Sequence, residues 1–596
     1  MADLNLRYYS QQDKYSDGDI EDVMLEMAKK GISYEDLPEE EVSFPLIYHF
    51  SKIRHNIINW YPMRDHASIL EIGSGCGAIT GALCEKCDRV VSVELSKKRA
   101  LINYNRHKEF KNLHIIVGNL NDMIFDEKFD YILLNGVLEY AASFTEGEKP
   151  YVEFLKNIAC LLKEDGRILI AIENRLGLKY FAGAPEDHTD LYFLGLNNYK
   201  DYSSVRTFSK LEMENLLKDS GFAGLRFYYP YPDYKFPKEI FTDHTLVSNG
   251  YGRPYEDYKS GRFFLFEESK VAHSLAMEGV AANFSNSFLV EAGKKELEDK
   301  EVVLYAKMNS ERHEKFQIAT VIYDSESGKK VMKQAMTESA KSFVNDMIRI
   351  GNSRQNSMYK YLPCAGGQGV LEYPYIQGST VLEEIRYCVK RRDKEKIIKS
   401  LLGFYNSYFT NTFLEKDLYT TEFQEVFGSL RGKEEYLCIK PANVDLICEN
   451  IFWDDNKGII IDYEWVFDFS VPVAFIMWRM INDMYTQLPE LEQVIKRQNI
   501  YEIFEIDCID QENFLAWSKN FAYVYVGCDK MSKYAQESIK VDLNETANSY
   551  KHNMLSKLYF DRGRGLNEDD SMVAQGKIYK NRFEIYFSIL PYFLFK

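Results

Sequence analysis

Residues 68–83, SILEIGSGCGAITGAL, join an apolar run to a helix-compatible stretch through Gly73, Gly75 and Gly77. Glycine lets a backbone turn tightly and approach a bound nucleotide without a Cβ clash. The stretch predicts a strand, a glycine turn and a helix, in that order. Further apolar runs alternate with amphipathic stretches to about residue 230: RVVSVEL, LHIIVGN, FDYILLNG, GRILIAIEN and GLRFYYPYP. That is the βαβα pattern of a mainly parallel sheet covered by helices. Residues 1–65 read as helical, with IEDVMLEMAKKG ending on Gly31.

The expected strand ends carry polar residues. Glu94 closes the second strand 21 residues after Gly73, where an acid accepts hydrogen bonds from ribose hydroxyls. In GNLND, after the third strand, Asn119 or Asp122 meets an adenine amino group. Asn135 closes the fourth strand, over the reacting face. Residues 171–190 follow the fifth strand and gather Glu173, Asn174, Arg175, Asp187 and His188. They read either as an acceptor-binding loop or as an ordinary polar surface loop. His188 is the candidate catalytic base there.

The E-x-G-x-G-x-G of residues 71–77, with these strand ends, resembles the class I S-adenosylmethionine-dependent methyltransferases over roughly residues 40–235. FSKLEMENLLKDSGFAGLRFYY is similar to their C-terminal antiparallel element. The resemblance implies that Glu71, Gly73, Gly75, Glu94 and Asn119 contact the cofactor, with Gly77 and Asn135 completing the set. The family often has Asp where this chain has Asn119. Methyl transfer to a good nucleophile mainly needs alignment. A sugar hydroxyl needs a base, and a phosphate oxygen does not.

A different pattern starts near residue 284. FSNSFLVEA, EVVLYAKMNS, KFQIATVIYD and KKVMKQAM read as consecutive strands, with DSESGKK as a hairpin turn. A helical stretch, SAKSFVNDMIRIGNS, and a strand leading into a helix, GVLEYPYIQGSTVLEEI, come next. The chain is then mostly helical, except at VDLICENIFWDDNKGIIIDYEW, residues 444–465. There Asp445 and Asn450 have the D-L-x-x-x-N spacing of a phosphotransferase catalytic loop, and Asp462 ends an apolar strand 12 residues on. Asp445 is placed to accept the attacking hydroxyl's proton, and Asn450 and Asp462 to hold magnesium. Lys333 suits a third-strand lysine reaching the phosphates of ATP, with Glu338 or Asp346 as its partner. Glu372 and Tyr373, in EYPYIQG, fit a hinge that meets adenine.

This half resembles the aminoglycoside phosphotransferase and choline kinase branch of the kinase-like fold, over roughly residues 284–545. Asn443 stands where a His usually precedes the catalytic Asp by two, and MNSERHEKF where a glycine-rich loop covers the phosphates. The fold class expected is α/β: a Rossmann-like methyltransferase domain followed by a bilobal, protein-kinase-like α+β domain. The boundaries are 1–240 for the first domain with its helical extension, 241–283 for a connecting region, 284–555 for the second domain and 556–596 for a tail.

This domain order resembles bacterial bifunctional kinase–methyltransferases that terminate surface polysaccharides. It implies ATP-dependent phosphorylation and then methylation of a glycan end, with a lipid-linked glycan as substrate and polysaccharide-synthesis enzymes as partners. Two other readings stay open: a kinase-like half that only binds glycan or a partner, and a kinase–methyltransferase for an amino alcohol or aminosugar. A net charge of −17 disfavours nucleic acid as a partner. No run of about eighteen apolar residues predicts a transmembrane segment, and MADLNLRYYSQQDKYSDGD lacks a signal pattern. Ten scattered cysteines fit a reducing compartment, and the pair Cys84 and Cys87 reads as structural. A cytoplasmic protein is expected. The tail segment LYFDRGRGLNEDDS resembles a module of polysaccharide-synthesis enzymes, and the apolar end FEIYFSILPYFLFK packs as a strand or touches a membrane or partner.

Overall fold

A computed structural model describes residues 1–549 except 12–16, 201, 203–204, 247–254, 354–358, 410–413, 418–419, 430–434, 455–456, 528–530 and 547. The expectations for the tail, residues 556–596, lie outside the described residues.

Sixteen strands matter here. β1 is Asp3–Tyr8, β2 Ser68–Ile72, β3 Arg89–Glu94, β4 Leu113–Gly118, β5 Phe129–Asn135 and β6 Leu162–Glu173. β7 is Gly224–Tyr231, β8 Glu239–Thr242, β9 Arg262–Phe264 and β10 Ser287–Gly293. β11 is Glu301–Met308, β12 Ile318–Ser325, β13 Lys330–Ala335, β14 Tyr359–Tyr361, β15 Ala365–Gly367 and β16 Val370–Pro374. Fourteen of them form one sheet, in the order β1-β4-β3-β2-β5-β6-β10-β7-β8-β11-β12-β13-β16-β15. From β1 to β6 all pairings are parallel. β2 and β3 are buried on both faces, so Ile69, Leu70 and Ile72, and Val90, Val91 and Val93, do not alternate with exposed polar residues, and Glu71 and Ser92 are buried among them. The two sheet faces carry separate cores, one around Leu83, Leu133 and Tyr228, the other around Ile132, Leu155 and Phe288.

The topology differs from the expectation at four places. FSNSFLVEA does not open a second unit. Its strand β10 is fully buried and lies antiparallel between β6 and β7. β7, expected as the antiparallel element, is therefore parallel to β6. An apolar run announces a buried strand and leaves its partners open. Second, the expected helical region 1–65 begins with β1, which extends the sheet edge beside β4. The helix Ile20–Lys30 follows and packs on the helix Lys97–His107, where Arg99 meets Glu21 at 2.8 Å.

Third, residues 241–283 are more than a connection. β9 pairs in parallel with Ser538–Lys540, and Arg262 and Glu268 form a buried ion pair at 2.9 Å. Fourth, the two halves share the sheet. β8 pairs with β7 on one side and with β11 on the other. Beyond it, β11, β12, β13, β16 and β15 are antiparallel neighbours. The helix Lys341–Ser353 packs against β13 and β16. A larger helical body follows, with Lys394–Phe409, Val473–Gln487 and Cys508–Lys519 around one apolar core. Among the described residues no helix is long and apolar enough to cross a membrane.

Candidate functional site

The glycine turn leaves β2 with three residues in the left-handed region: Gly73 at φ 70°, Gly75 at 55° and Gly77 at 77°. Side chains take that conformation only at a cost. A Cβ on Gly73 would stand 2.6 Å from Val137 Cγ2, and one on Gly77 would run into the Asn103 carboxamide. Around Gly75 the nearest atom, His49 Cε1, is 3.9 Å from such a Cβ. The turn brings the Gly75 amide 2.8 Å from Glu94 Oε2, and the Ser96 amide donates to Glu94 Oε1 at 2.8 Å. Glu71 accepts from Thr80 Oγ1 at 2.7 Å and Ser92 Oγ at 2.6 Å through one oxygen. Burial pushes its carboxyl up to about 7, against these two hydrogen bonds.

This turn borders a cavity of about 740 Å³ at the carboxyl ends of β2 to β6. Glu71, Gly73, Gly75, Glu94, Asn119 and Asn135 all line it. Gly77 instead packs behind it against Asn103. Asn119 Oδ1 accepts from the Asn121 amide at 3.1 Å, and Asn135 Oδ1 is buried with no hydrogen-bond partner. The lining therefore offers acceptors: the Glu94 carboxylate, the Asn119 carboxamide and the orphaned Asn135 oxygen. S-adenosylmethionine presents donors of the matching kind, in its ribose hydroxyls, adenine amino group and ammonium. A cavity of this size is in the range of small-molecule sites.

The cavity floor is ionic. His188 Nδ1 lies 3.0 Å from Glu186 Oε1, and its Nε2 lies 3.6 Å from Glu139 Oε1. Burial lowers the imidazole pKa, but the charge of Glu173 and hydrogen bonds to Glu139 and Glu186 outweigh it and hold the group well above its usual 6.5. His188, expected as a base, thus keeps its proton in this arrangement. Lys235 bonds Glu173 and reaches Asp187 Oδ1 at 2.6 Å. Lys179 meets Asp187 at 2.9 Å and Asp233 at 3.5 Å. Two members of the expected loop cluster turn elsewhere: Arg175 binds Glu212 at 2.6 Å, and Asn174 donates to the carbonyls of Asn283 and Ser285. Glu139, Lys179, Glu186, Asp233 and Lys235 were missed in the sequence. Their one signal is charge inside apolar runs, as in GLKYF and PDYKF.

In the second half, Lys333 on β13 is buried and donates to Asp462 Oδ1 at 2.9 Å and Glu464 Oε1 at 2.6 Å. Its partners are neither Glu338, which pairs with Lys341, nor Asp346, which pairs with Arg349. Each acid is taken by a base three residues on, Glu338 in the turn before the helix and Asp346 within it. Arg312, from the MNSERHEKF turn, binds Glu464 Oε2 at 2.8 Å. Asn443 bridges the loop: its amide donates to the Asp462 carbonyl at 3.2 Å, and its oxygen accepts from the Asp445 amide at 2.9 Å. Asn450 donates to the Asp445 carbonyl at 3.1 Å. Asp445 Oδ1 meets Arg479 at 3.1 Å, and burial pushes its carboxyl up to about 6 against that charge. Tyr373 is buried opposite Val331 in the β13–β16 register. Glu372 is half exposed, 3.5 Å from Lys330. Arg312, Glu464 and Arg479 were not foreseen, because nothing in their local sequence marks their partners.

Residues 70–168 match the model of a methyltransferase domain. The uncharacterized protein MJ1123 of Methanocaldococcus jannaschii is 30% identical over 185 residues, 31% of this chain and 76% of that protein. An uncharacterized methyltransferase of Staphylococcus carnosus is 30% identical over 146 residues, 22% of this chain and 66% of its own length. Among solved structures, a SAM-dependent methyltransferase from Thermotoga maritima is 17% identical with a TM-score of 0.25, covering 46% of this chain and all of that one. The YcgJ protein from Bacillus subtilis is 19% identical with a TM-score of 0.24, covering 42% of this chain and all of its own. The chain belongs to the family of MJ1123 and carries a methyltransferase domain.

Proposed function

We propose that this methyltransferase binds S-adenosylmethionine at the Gly73–Gly77 turn and methylates an acceptor held over the ionic cavity floor. One observation carries the reading: the glycine turn, Glu94 and the orphaned Asn135 oxygen border one 740 Å³ cavity. Bound there, S-adenosylmethionine supplies an electrophilic methyl group. Glu94 takes the ribose hydroxyls, Asn119 the adenine edge and Asn135 a donor nearer the reacting end. Glu71 stiffens the turn through Thr80 and Ser92.

The second half we read as an ATP-dependent phosphotransferase. The Lys333–Asp462 pair at 2.9 Å supports this, because a phosphate-binding lysine and a magnesium-holding aspartate must converge. In this reading Asp445 positions the attacking hydroxyl, and Asn450 and Asp462 hold the ion. The acceptor class we propose, a polysaccharide terminus phosphorylated and then methylated, rests on the order of the two units. A second reading, a half that binds glycan without phosphorylating it, is favoured by one contact. Arg479 sits 3.1 Å from the Asp445 oxygen that would receive the hydroxyl's proton.

Calorimetric titration of the full chain with S-adenosylmethionine, and separately with ATP and Mg²⁺, tests both parts. Glu94→Ala should weaken the first binding roughly a hundredfold and leave the second unchanged. Asp462→Ala should do the reverse. ATP–Mg²⁺ failing to bind while S-adenosylmethionine binds would overturn the phosphotransferase. The opposite result would overturn the methyltransferase site.

A further inference from the structure

The cavity floor carries more negative charge than its neighbours balance. Glu139, Glu173, Glu186, Asp187 and Asp233 are joined through His188, Lys235 and Lys179. Five carboxylates face two ammonium groups and one imidazole. With all five carboxylates ionised and a proton on the imidazole, two negative charges are in excess. A buried excess of that kind is costly unless a cation joins it.

The uncompensated charge is localised. Glu173 is 0% exposed and Glu139 is 1% exposed. Each uses one oxygen: Glu173 Oε1 for Lys235, and Glu139 Oε1 toward His188. The other oxygen of each, Oε2, is buried with no hydrogen-bond partner. Ligand atoms of Glu139, Glu173 and His188 lie within 4.8 Å of one another, and all three residues line the cavity. An orphaned buried carboxylate oxygen loses its hydration with no return, so two acids that each carry one and line the same cavity mark a place for a cation.

We propose that Glu139, Glu173 and His188 bind a divalent cation of the Mg²⁺ or Mn²⁺ class beside the methyl-transfer site. Two carboxylates and one imidazole suit such an ion, with waters or the acceptor completing its shell. An ion that displaces the imidazole proton halves the excess charge. The proposal rests on the methyl-transfer reading. A phosphorylated acceptor would bind such an ion through a phosphate oxygen, which orients it and offsets its charge. A phosphate oxygen then bonds to the methyl carbon as the carbon–sulfur bond breaks, leaving S-adenosylhomocysteine.

The test is a Mn²⁺ titration of the full chain, read by the electron paramagnetic resonance of free Mn²⁺. It is done without ATP and in an Asp462→Asn background that silences the other candidate ion site. One Mn²⁺ per chain is expected. Glu139→Gln and Glu173→Gln should each weaken it at least tenfold, with the circular dichroism unchanged. Nitrogen hyperfine coupling to the bound ion should vanish in His188→Gln. No Mn²⁺ binding, or binding unchanged in both Gln variants, overturns the site. S-adenosylmethionine titrated into the same samples separates the two claims. If it binds where Mn²⁺ does not, the ion site alone falls. If it fails to bind the unsubstituted chain, the methyl-transfer reading falls whatever Mn²⁺ does.

Discussion

Lys333 and Arg312 face Asp462 and Glu464 in the second half: two cations against two anions, closed at 2.6 to 2.9 Å. In and behind the cavity floor of the first half, five carboxylates face three basic groups, and two carboxylate oxygens have no partner. The balanced cluster is paired within itself, and on the proposed phosphotransferase reading a phosphate would have to draw Lys333 away from Asp462. The unbalanced one is incomplete without a cation. Buried charge therefore supports the fold in one half and readies a site in the other.

Breaking the balanced cluster should have the largest effect. Lys333→Ala leaves the buried Glu464 beside the partly exposed Asp462 without the lysine between them, and removing one partner of a buried pair costs about 3 to 5 kcal/mol. Chemical denaturation should show that loss, while S-adenosylmethionine affinity stays unchanged. A loss under 1 kcal/mol would mean that the cluster is solvated and the contrast false.

Glu71 gives the next effect, through pH. Its folded carboxyl, near 7, exceeds the ordinary 4.5, so the fold binds the proton more tightly than the unfolded chain does. The contribution is fully present below 4.5 and is lost as pH rises through about 7. It amounts to about 3 kcal/mol. Glu71→Gln should flatten the stability–pH curve over that window. An unchanged difference between the two curves would rule out this carboxyl as its source.

Glu94→Ala should weaken S-adenosylmethionine roughly a hundredfold, the scale of two charge-assisted hydrogen bonds, and leave ATP unaffected. An equal loss for both ligands would show that the shared sheet couples the sites. The smallest effects separate the glycines. Gly75→Ala meets only the left-handed strain, about 1 kcal/mol. Gly73→Ala adds the clash with Val137 and should lose about twice that in thermal unfolding.

Glu71 through Glu94 were legible in the sequence because strand, turn and acid are close in the chain, and their spacing states their chemistry. The loop from Asp445 to Asn450 and the apolar run before Asp462 were legible for the same reason; Asn450 bonds the Asp445 carbonyl, Asn443 the Asp462 carbonyl and Lys333 the Asp462 carboxylate. Strand β10 was legible as a strand but not in its place. All its residues are buried, so its pattern is the same whichever neighbours it has.

Local spacing by itself determined the glycine turn, the alternation of strands and helices, and the polar residue at each strand end. Only the tertiary structure decided that the halves share one sheet through β8, and that Lys333 pairs with Asp462 and Glu464. It alone decided that Glu139, Glu173 and His188 converge with Lys235 on one floor. The physical reason is reach. Backbone preferences act over a few residues, whereas ion pairs and strand pairings join any positions that the core brings together, here 62 residues apart for Lys235 and Glu173 and 129 for Lys333 and Asp462.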